Sequence, residues 1–236
     1  MSIDAPGERV LLPIRILTGE TLDEDLVTVL STLPVVILGY HVVPEQTPPS
    51  QMRQQYESKA EKTLSTFAQE FEDVDGTVET RLIFTHNADQ SIERVADDVS
   101  ATAIVHINPV GPVTSLLVAL DAVADPARLA PFTAALCGGR DIAVTLIAPD
   151  SEDGNERIAM TRSALMEQSV PAASITTHSV QKRSFVTNII DTAVDHDVTI
   201  MGAHQPDWRS LLFGDVEERV ATESLGPVIE VLADDD

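Results

Sequence analysis

Cysteine and long apolar runs are scarce in this sequence, and their scarcity excludes several classes of protein. Cys137 is the single cysteine, so no disulfide can form within the chain, and we expect a cytoplasmic location. No apolar run approaches the roughly 20 residues that span a bilayer. The first residues lack both the basic segment and the long apolar segment of a signal peptide. The sequence therefore predicts no membrane insertion.

Positive charge is also scarce. The chain has 15 Lys and Arg against 38 Asp and Glu, a net charge of −23, and only Lys59, Lys62 and Lys182 are lysines. Such a charge argues against nucleic acids and anionic membranes as partners. It also causes self-repulsion that concentrated salt would screen. Acid-rich, lysine-poor surfaces resemble those of halophilic archaeal proteins, and we expect such a source. The alternative is an acidic mesophilic protein.

Common catalytic and metal-binding motifs are absent. The six histidines form no H-x-x-x-H pair, and none lies at metal-binding spacing from the cysteine. The sequence also has no Walker lysine motif, no G-x-G-x-x-G and no G-x-S-x-G. We therefore predict no metal site and no catalytic residue.

Apolar patterning divides the chain into two unequal copies of one alternating unit. The first copy, residues 1–110, reads β-α-β-α-β-α-β, which is typical of a parallel sheet with helices on both faces. The second copy, residues 111–236, repeats this order and adds a glycine loop, a fourth helix and a fifth strand. The predicted strands are 10–14, 35–43, 77–85, 103–107, 115–120, 142–148, 174–180, 198–201 and 227–232; the helices are 22–33, 50–72, 89–100, 126–136, 155–168, 185–195 and one from Gly214 to about Glu223.

The first copy is truncated. Between Asn108 and Ser115 too few residues remain for a loop, a helix and a fifth strand. The segment 111–113, Gly-Pro-Val, repeats residues 226–228. We predict that the first copy is a structural partner and that any binding site lies in the second, and we place Arg15 at the position of Asp121.

Residues 198–218 combine a buried strand, a glycine-hinged loop and a helix N-terminus, an arrangement in which α/β proteins hold anions. This stretch resembles the universal stress protein family, whose members carry G-x-x-G, a nine-residue spacer and then G-S or G-T around an ATP triphosphate. Gly202 and Gly214 match the first and last glycines of that motif. The resemblance implies two Rossmann-like units of strand order 3-2-1-4-5, with a crevice between the first and fourth strands.

Three details depart from the family motif. Gln205 replaces the middle glycine, the spacer 206–213 has eight residues, and Asp215 replaces the hydroxyl residue. Asp215 and Glu218 fit a capping box. The Asp215 carboxylate would then occupy the position of a phosphate, and two unit charges about 4 Å apart repel by roughly 4 kcal/mol at an effective dielectric of about 20.

The resemblance implies weak or lost binding of ATP or another adenine nucleotide in the second copy, and in the family an aspartate at the position of Asp121 contacts the base. We expect a regulatory protein that acts by protein contacts and not an enzyme. One alternative is an ATP-binding switch in which a divalent cation offsets Asp215; another is a slow ATPase or nucleotidyl transferase. The candidate nucleotide-binding residues are Asp121, Ala148, Met201, Gly202, His204, Gln205, Gly214, Asp215 and Val216.

The last strand, Pro227 to Leu232, is apolar and lies at the sheet edge in the expected order, so its backbone groups need a partner. Members of the family pair this strand antiparallel in dimers. We therefore expect a homodimer, or a pairing within the chain, at this edge.

Overall fold

A computed structural model describes residues 8–19, 21–122, 124–202 and 226–233. The chain divides into two compact units, Met1–Val105 and His106–Asp236. Both are α/β, and every strand pair described within each unit is parallel.

The described elements of the first unit are β1 (Val10–Arg15), α1 (Glu24–Leu30), β2 (Val35–Val42), α2 (Pro49–Glu72), β3 (Val78–Thr85), α3 (Ala88–Asp98) and β4 (Ala103–His106). Its four described strands lie in the order β3-β2-β1-β4, which confirms the order predicted for a copy that stops after its fourth strand. β1, β2 and β4 are mostly buried, whereas the outer strand β3 is exposed or half-buried. Gly39 of β2 allows α2 to pack closely on the sheet, since an added Cβ would lie 2.9 Å from Leu64 Cδ2.

The described elements of the second unit are β5 (Ser115–Ala119), α4 (Pro126–Cys137), β6 (Ala143–Pro149), α5 (Glu152–Glu167), β7 (Ile175–Val180), α6 (Phe185–Ala193), β8 (Val198–Gly202) and β9 (Val228–Val231). The order of its five described strands confirms the predicted 3-2-1-4-5. Its first strand, β5, lies between β6 and β8, with β7 outside β6 and β9 outside β8 within the unit. The helix predicted after Gly214 lies outside the described residues.

Helix ends differ more from the sequence prediction than strand ends do. α5 begins three residues earlier than expected, because Ser151 Oγ accepts a hydrogen bond from the Gly154 N–H (3.1 Å) and acidic residues fill the first turn. α1 ends three residues early. The Ser31 and Thr32 hydroxyls donate to helix carbonyls there, and Pro34 cannot continue the helix.

Buried apolar side chains form the core of each unit. In the second unit Leu117, Ile147, Met201 and Val228 pack with the apolar face of α6. Cys137 is 4% exposed, and burial raises the pKa of its thiol despite the opposing positive charge of Arg140. Across the described segments, no helix combines the length and the apolar composition needed to cross a membrane.

Candidate functional site

The carboxyl ends of three adjacent strands of the second unit bring predicted site residues together. The parallel register places Ala119 of β5 beside Ile147 of β6 and Met201 of β8. Asp121 follows Ala119 by two residues, Ala148 follows Ile147, and Gly202 follows Met201. Four predicted residues therefore lie at one end of the sheet, next to the switch point between β5 and β8, where open α/β sheets form ligand crevices.

Asp121 is a buried carboxylate with a fixed orientation. Its side chain belongs to a residue that is 7% exposed, and Oδ1 accepts a hydrogen bond from the Ala124 N–H at 2.8 Å. This bond shapes the turn that leads to α4, so Asp121 has a structural role whether or not a ligand binds. A carboxylate offers only acceptors, which suits the amino group of a base or a ribose hydroxyl.

The neighbouring side chains are apolar. Ala148 is fully buried and Met201 is 6% exposed, whereas Gly202 is half-buried and is the last residue of β8 instead of the start of a loop. A buried acceptor beside small and apolar side chains fits the base of an adenine nucleotide.

The loop after β6 is held by several hydrogen bonds that sequence reasoning missed. The Asp150 N–H donates to the Val180 carbonyl at 2.6 Å, and Ser179 Oγ donates to Asn155 Oδ1 at 2.7 Å. Gly154 is required where this loop enters α5, because a Cβ there would collide with the Pro149 carbonyl oxygen. The register places Ser179 opposite Ala148, and that topological signal could have identified it.

Arg157 is a second residue that the sequence did not single out. Its Nη2 donates to the Ala122 carbonyl at 3.2 Å, which ties α5 to the loop that contains Asp121. The loops after β5 and β6 are thus braced against the same helix. A rigid rim of this kind would keep Asp121 and Ala148 in place.

The first unit lacks the equivalent carboxylate, and our alignment of Arg15 with Asp121 was wrong. The Ile16 N–H donates to the Tyr40 carbonyl (2.9 Å) just as the Leu120 N–H donates to the Ile147 carbonyl (2.8 Å). This pattern aligns Asp121 with Leu17, which has a positive φ of 76°. Arg15 remains inside β1, with its guanidinium carbon 6.0 Å from the centre of the Tyr40 ring.

Five predicted residues lie outside the described part of the chain, namely His204, Gln205, Gly214, Asp215 and Val216. The structure thus describes the carboxyl ends of β5, β6 and β8 and not the predicted phosphate loop. Within the described ranges, no group of three or more His, Cys, Asp or Glu side chains is arranged to hold a metal ion.

Comparison with known proteins gives similarity in structure only. Neither a protein-family model nor a curated protein matches the sequence. A universal stress protein from Archaeoglobus fulgidus DSM 4304 is similar over 97% of each chain, with a TM-score of 0.59 and 13% identity.

Two structures from Pseudomonas aeruginosa are also similar. A putative universal stress protein from strain UCBPP-PA14 matches over 96% of this chain and 93% of its own, with a TM-score of 0.52 and 11% identity. A protein of unknown function from strain PAO1 matches over 97% and 93%, with a TM-score of 0.53 and 12% identity. The chain therefore has the fold of these proteins over nearly its whole length.

Proposed function

We propose that the chain is a tandem universal stress protein with a truncated first unit, and that it regulates other proteins by contact without catalysing a reaction. The fold supports this proposal, and so does the acidic crevice residue found in one unit alone. The observation that carries it is the buried Asp121 beside Ala148 and Met201 at the switch point. The location we propose is the cytoplasm of a halophilic archaeon.

The ligand we propose for the second unit is an adenine nucleotide, bound weakly and mainly through its base. The carboxyl ends of β5, β6 and β8 hold the acceptor Asp121 and the apolar Ala148 and Met201, a combination that would suit a base. The sequence of the predicted phosphate loop has lost a glycine, a hydroxyl and one residue of length. Each change should weaken the binding of the phosphate groups and leave the contacts to the base unchanged.

Titration calorimetry with adenosine and with ATP at matched high salt tests this proposal. We expect both to bind the wild type with dissociation constants above about 100 µM, because neither gains from the altered loop. The double variant Gln205→Gly, Asp215→Ser should bind ATP more tightly, with a smaller change for adenosine. Removing one like-charge repulsion limits the gain to a few kcal/mol.

The substitution Asp121→Asn tests the contacts to the base independently of the contacts to the phosphates. Asparagine keeps an acceptor for the Ala124 N–H but loses the charge, so adenosine and ATP should weaken together while the fold is retained. Asp125→Asn is the matched control, since Asp125 caps the N-terminus of α4 by accepting the Ala127 N–H at 2.9 Å. Equal effects of the two substitutions would place the ligand elsewhere.

Two results would replace the proposal by its alternatives. Low-micromolar binding of ATP by the wild type, strengthened by a divalent cation, would identify an ATP-dependent switch. Phosphate release above the level of a variant with an altered loop would identify an ATPase. A wild type that binds no nucleotide at all would exclude the proposed ligand and leave the proposed regulatory role as it stands.

The partner we propose for the outer edge of β9 is a strand from the same chain or from a second copy. β9 is outermost within the second unit's own sheet, and Val228, Ile229 and Val231 are buried. Backbone groups of so apolar a strand are costly to leave unpaired.

A further inference from the structure

The opposite edge of the second unit's sheet is exposed and uncharged. In the described part of the chain β7 pairs with β6 alone, and residues 176–179 are exposed. The Val180 carbonyl faces β6, where it accepts the Asp150 N–H. Backbone groups of alternate residues point to opposite sides of a strand, so the N–H and C=O groups of Thr177 and Ser179 point away from β6. They form an open row for another strand to pair with.

This edge lies in the longest stretch of the sequence without an acid. None of the 23 residues from 168 to 190 is Asp or Glu, although the chain has 38 such residues. The stretch carries Lys182 and Arg183, both exposed. Asp150 lies on the β6 side of the strand, where its N–H donates to the Val180 carbonyl. Two copies with a charge of −23 repel over most of their surfaces, so they can approach most closely where acids are missing.

The outermost strand of the first unit's sheet provides a contrast. β3 carries exposed Glu79 and Arg81, which form an ion pair with each other. Charged side chains on an edge strand oppose pairing with a further strand. β7 has neither such charges nor a proline, so nothing in its sequence protects its edge.

We propose that β7 pairs antiparallel with β7 of a second copy of this chain, around a two-fold axis near Thr177. In that arrangement Thr176 lies opposite His178 and Ile175 lies opposite Ser179, so no acid faces another acid within the paired strands. A six-residue strand forms a small interface, and the dimer therefore depends on concentration. Salt strengthens it by screening the repulsion between the copies.

Sedimentation equilibrium over a range of concentrations and KCl tests the pairing. The dissociation constant of the dimer should fall about tenfold or more between about 0.1 M and 2 M KCl. Thr177→Pro removes one outward N–H without breaking a hydrogen bond to β6, and should abolish the dimer at every salt concentration. Its thermal unfolding reports whether the fold is retained.

A charge exchange at one position tests the register. Thr177→Glu and Thr177→Lys should each weaken the dimer several-fold at moderate salt, because like charges face each other across the axis. An isotope-labelled mixture of the two variants should form mixed dimers again, as seen by native mass spectrometry. Thr80→Glu and Thr80→Lys make the same changes at an exposed position of β3 and should leave the dimer unchanged.

Five outcomes would overturn the proposal. The first is a wild type that stays monomeric at about 1 mM in about 2 M KCl, where repulsion is screened. The second is a dimer that survives Thr177→Pro. The third is a dimer that dissociates in the Thr80 variants. The fourth is a dimer that dissociates when the edge of β9 is disrupted by Glu230→Pro. The fifth is a monomeric chain that binds a different, acidic protein at the outer edge of β7 and loses this binding in Thr177→Pro. That protein, and not a second copy, would then be the partner of β7.

Discussion

The carboxylate of Asp197 joins the starts of two strands of the second unit. Its Oδ2 accepts hydrogen bonds from the Thr114 N–H (2.8 Å) and hydroxyl (3.0 Å) and from the Ser115 N–H and hydroxyl (2.9 Å each). Partial burial alone would raise the pKa of this carboxyl, but the four hydrogen bonds outweigh burial and hold the pKa below its usual value.

Asp197→Asn should therefore destabilise the protein in a pH-dependent way. The folded-state pKa is lowered, so the carboxylate contributes stability above its unfolded pKa of about 4 and loses it as the pH falls through the folded value. We expect a loss of about 2 kcal/mol in unfolding free energy near pH 7, kept small by partial exposure. Urea unfolding at several pH values measures it.

Asp195→Asn is the control for this prediction. Asp195 is exposed and lies in the same turn, so its substitution should change the unfolding free energy by less than about 0.5 kcal/mol. A loss in Asp197→Asn that stays the same well below pH 4, where both proteins carry a neutral side chain, would contradict the charge-based account.

Residue positions could be predicted where chain topology alone determines them. Asp121 follows the buried strand β5 and Ala148 lies near the end of the buried strand β6, so a parallel sheet places both at one end of the sheet. The Arg157 bond to Ala122 and the Ser179 bond to Asn155 could not be predicted, because they join residues 35 and 24 positions apart through helix packing. The sequence aligned Asp121 with Arg15 instead of Leu17, two residues later. The apolar pattern does not show at which residue the last hydrogen bond between neighbouring strands forms.

At the scale of elements, strands were easier to predict than helix ends. A strand covered on both faces is a short apolar run, and β1, β5 and β8 each match the prediction within one residue. Helix ends depend on capping geometry: the Ser151 cap extended α5, and hydroxyl-to-carbonyl bonds shortened α1. The open edge of β7 also needed the structure, because the sequence pattern does not show which backbone groups face outward.

The backbone direction of β9 decides how its edge can be tested. The Pro227 carbonyl accepts the Thr199 N–H, so Pro227, Ile229 and Val231 direct their backbone groups to β8. Proline at Ile229 would therefore break the unit's own sheet. Proline at Glu230 removes an N–H on the outer side instead.

Glu230→Pro should lower stability if a strand of the same chain covers this edge, and should lower the mass in solution if a second copy does. Thermal unfolding and light scattering on the same samples distinguish the two cases. Val231→Pro disrupts hydrogen bonding to β8. It therefore measures how far the unfolding temperature falls when the second unit's own sheet is broken. The edge has no partner strand if Glu230→Pro changes neither mass nor unfolding temperature.

At the scale of the whole molecule, acidic residues also lie where helix dipoles oppose them. The last turns of α2 and α3 contain no basic residue, and Glu72, Asp97 and Asp98 occupy these turns in exposed positions. The C-terminus of a helix carries partial negative charge, so each of these acids destabilises its helix by about 0.3–1 kcal/mol at low salt. Such an arrangement is tolerable where salt screens it.

Folding stability should therefore rise steeply with salt. We expect the melting temperature to increase substantially from about 0.1 M to about 3 M KCl, because a net charge of −23 is then screened over about 3 Å or less. The variant Glu72→Gln, Asp97→Asn, Asp98→Asn should melt higher than the wild type at low salt, with the difference shrinking as salt rises. Calorimetry in KCl measures both.

A neutral osmolyte such as sucrose separates screening from general exclusion effects, since it stabilises both proteins equally. A melting temperature that ignores KCl, or a gain in the variant that persists at about 3 M, would mean that surface charge does not limit the stability of this chain and would remove the halophilic interpretation.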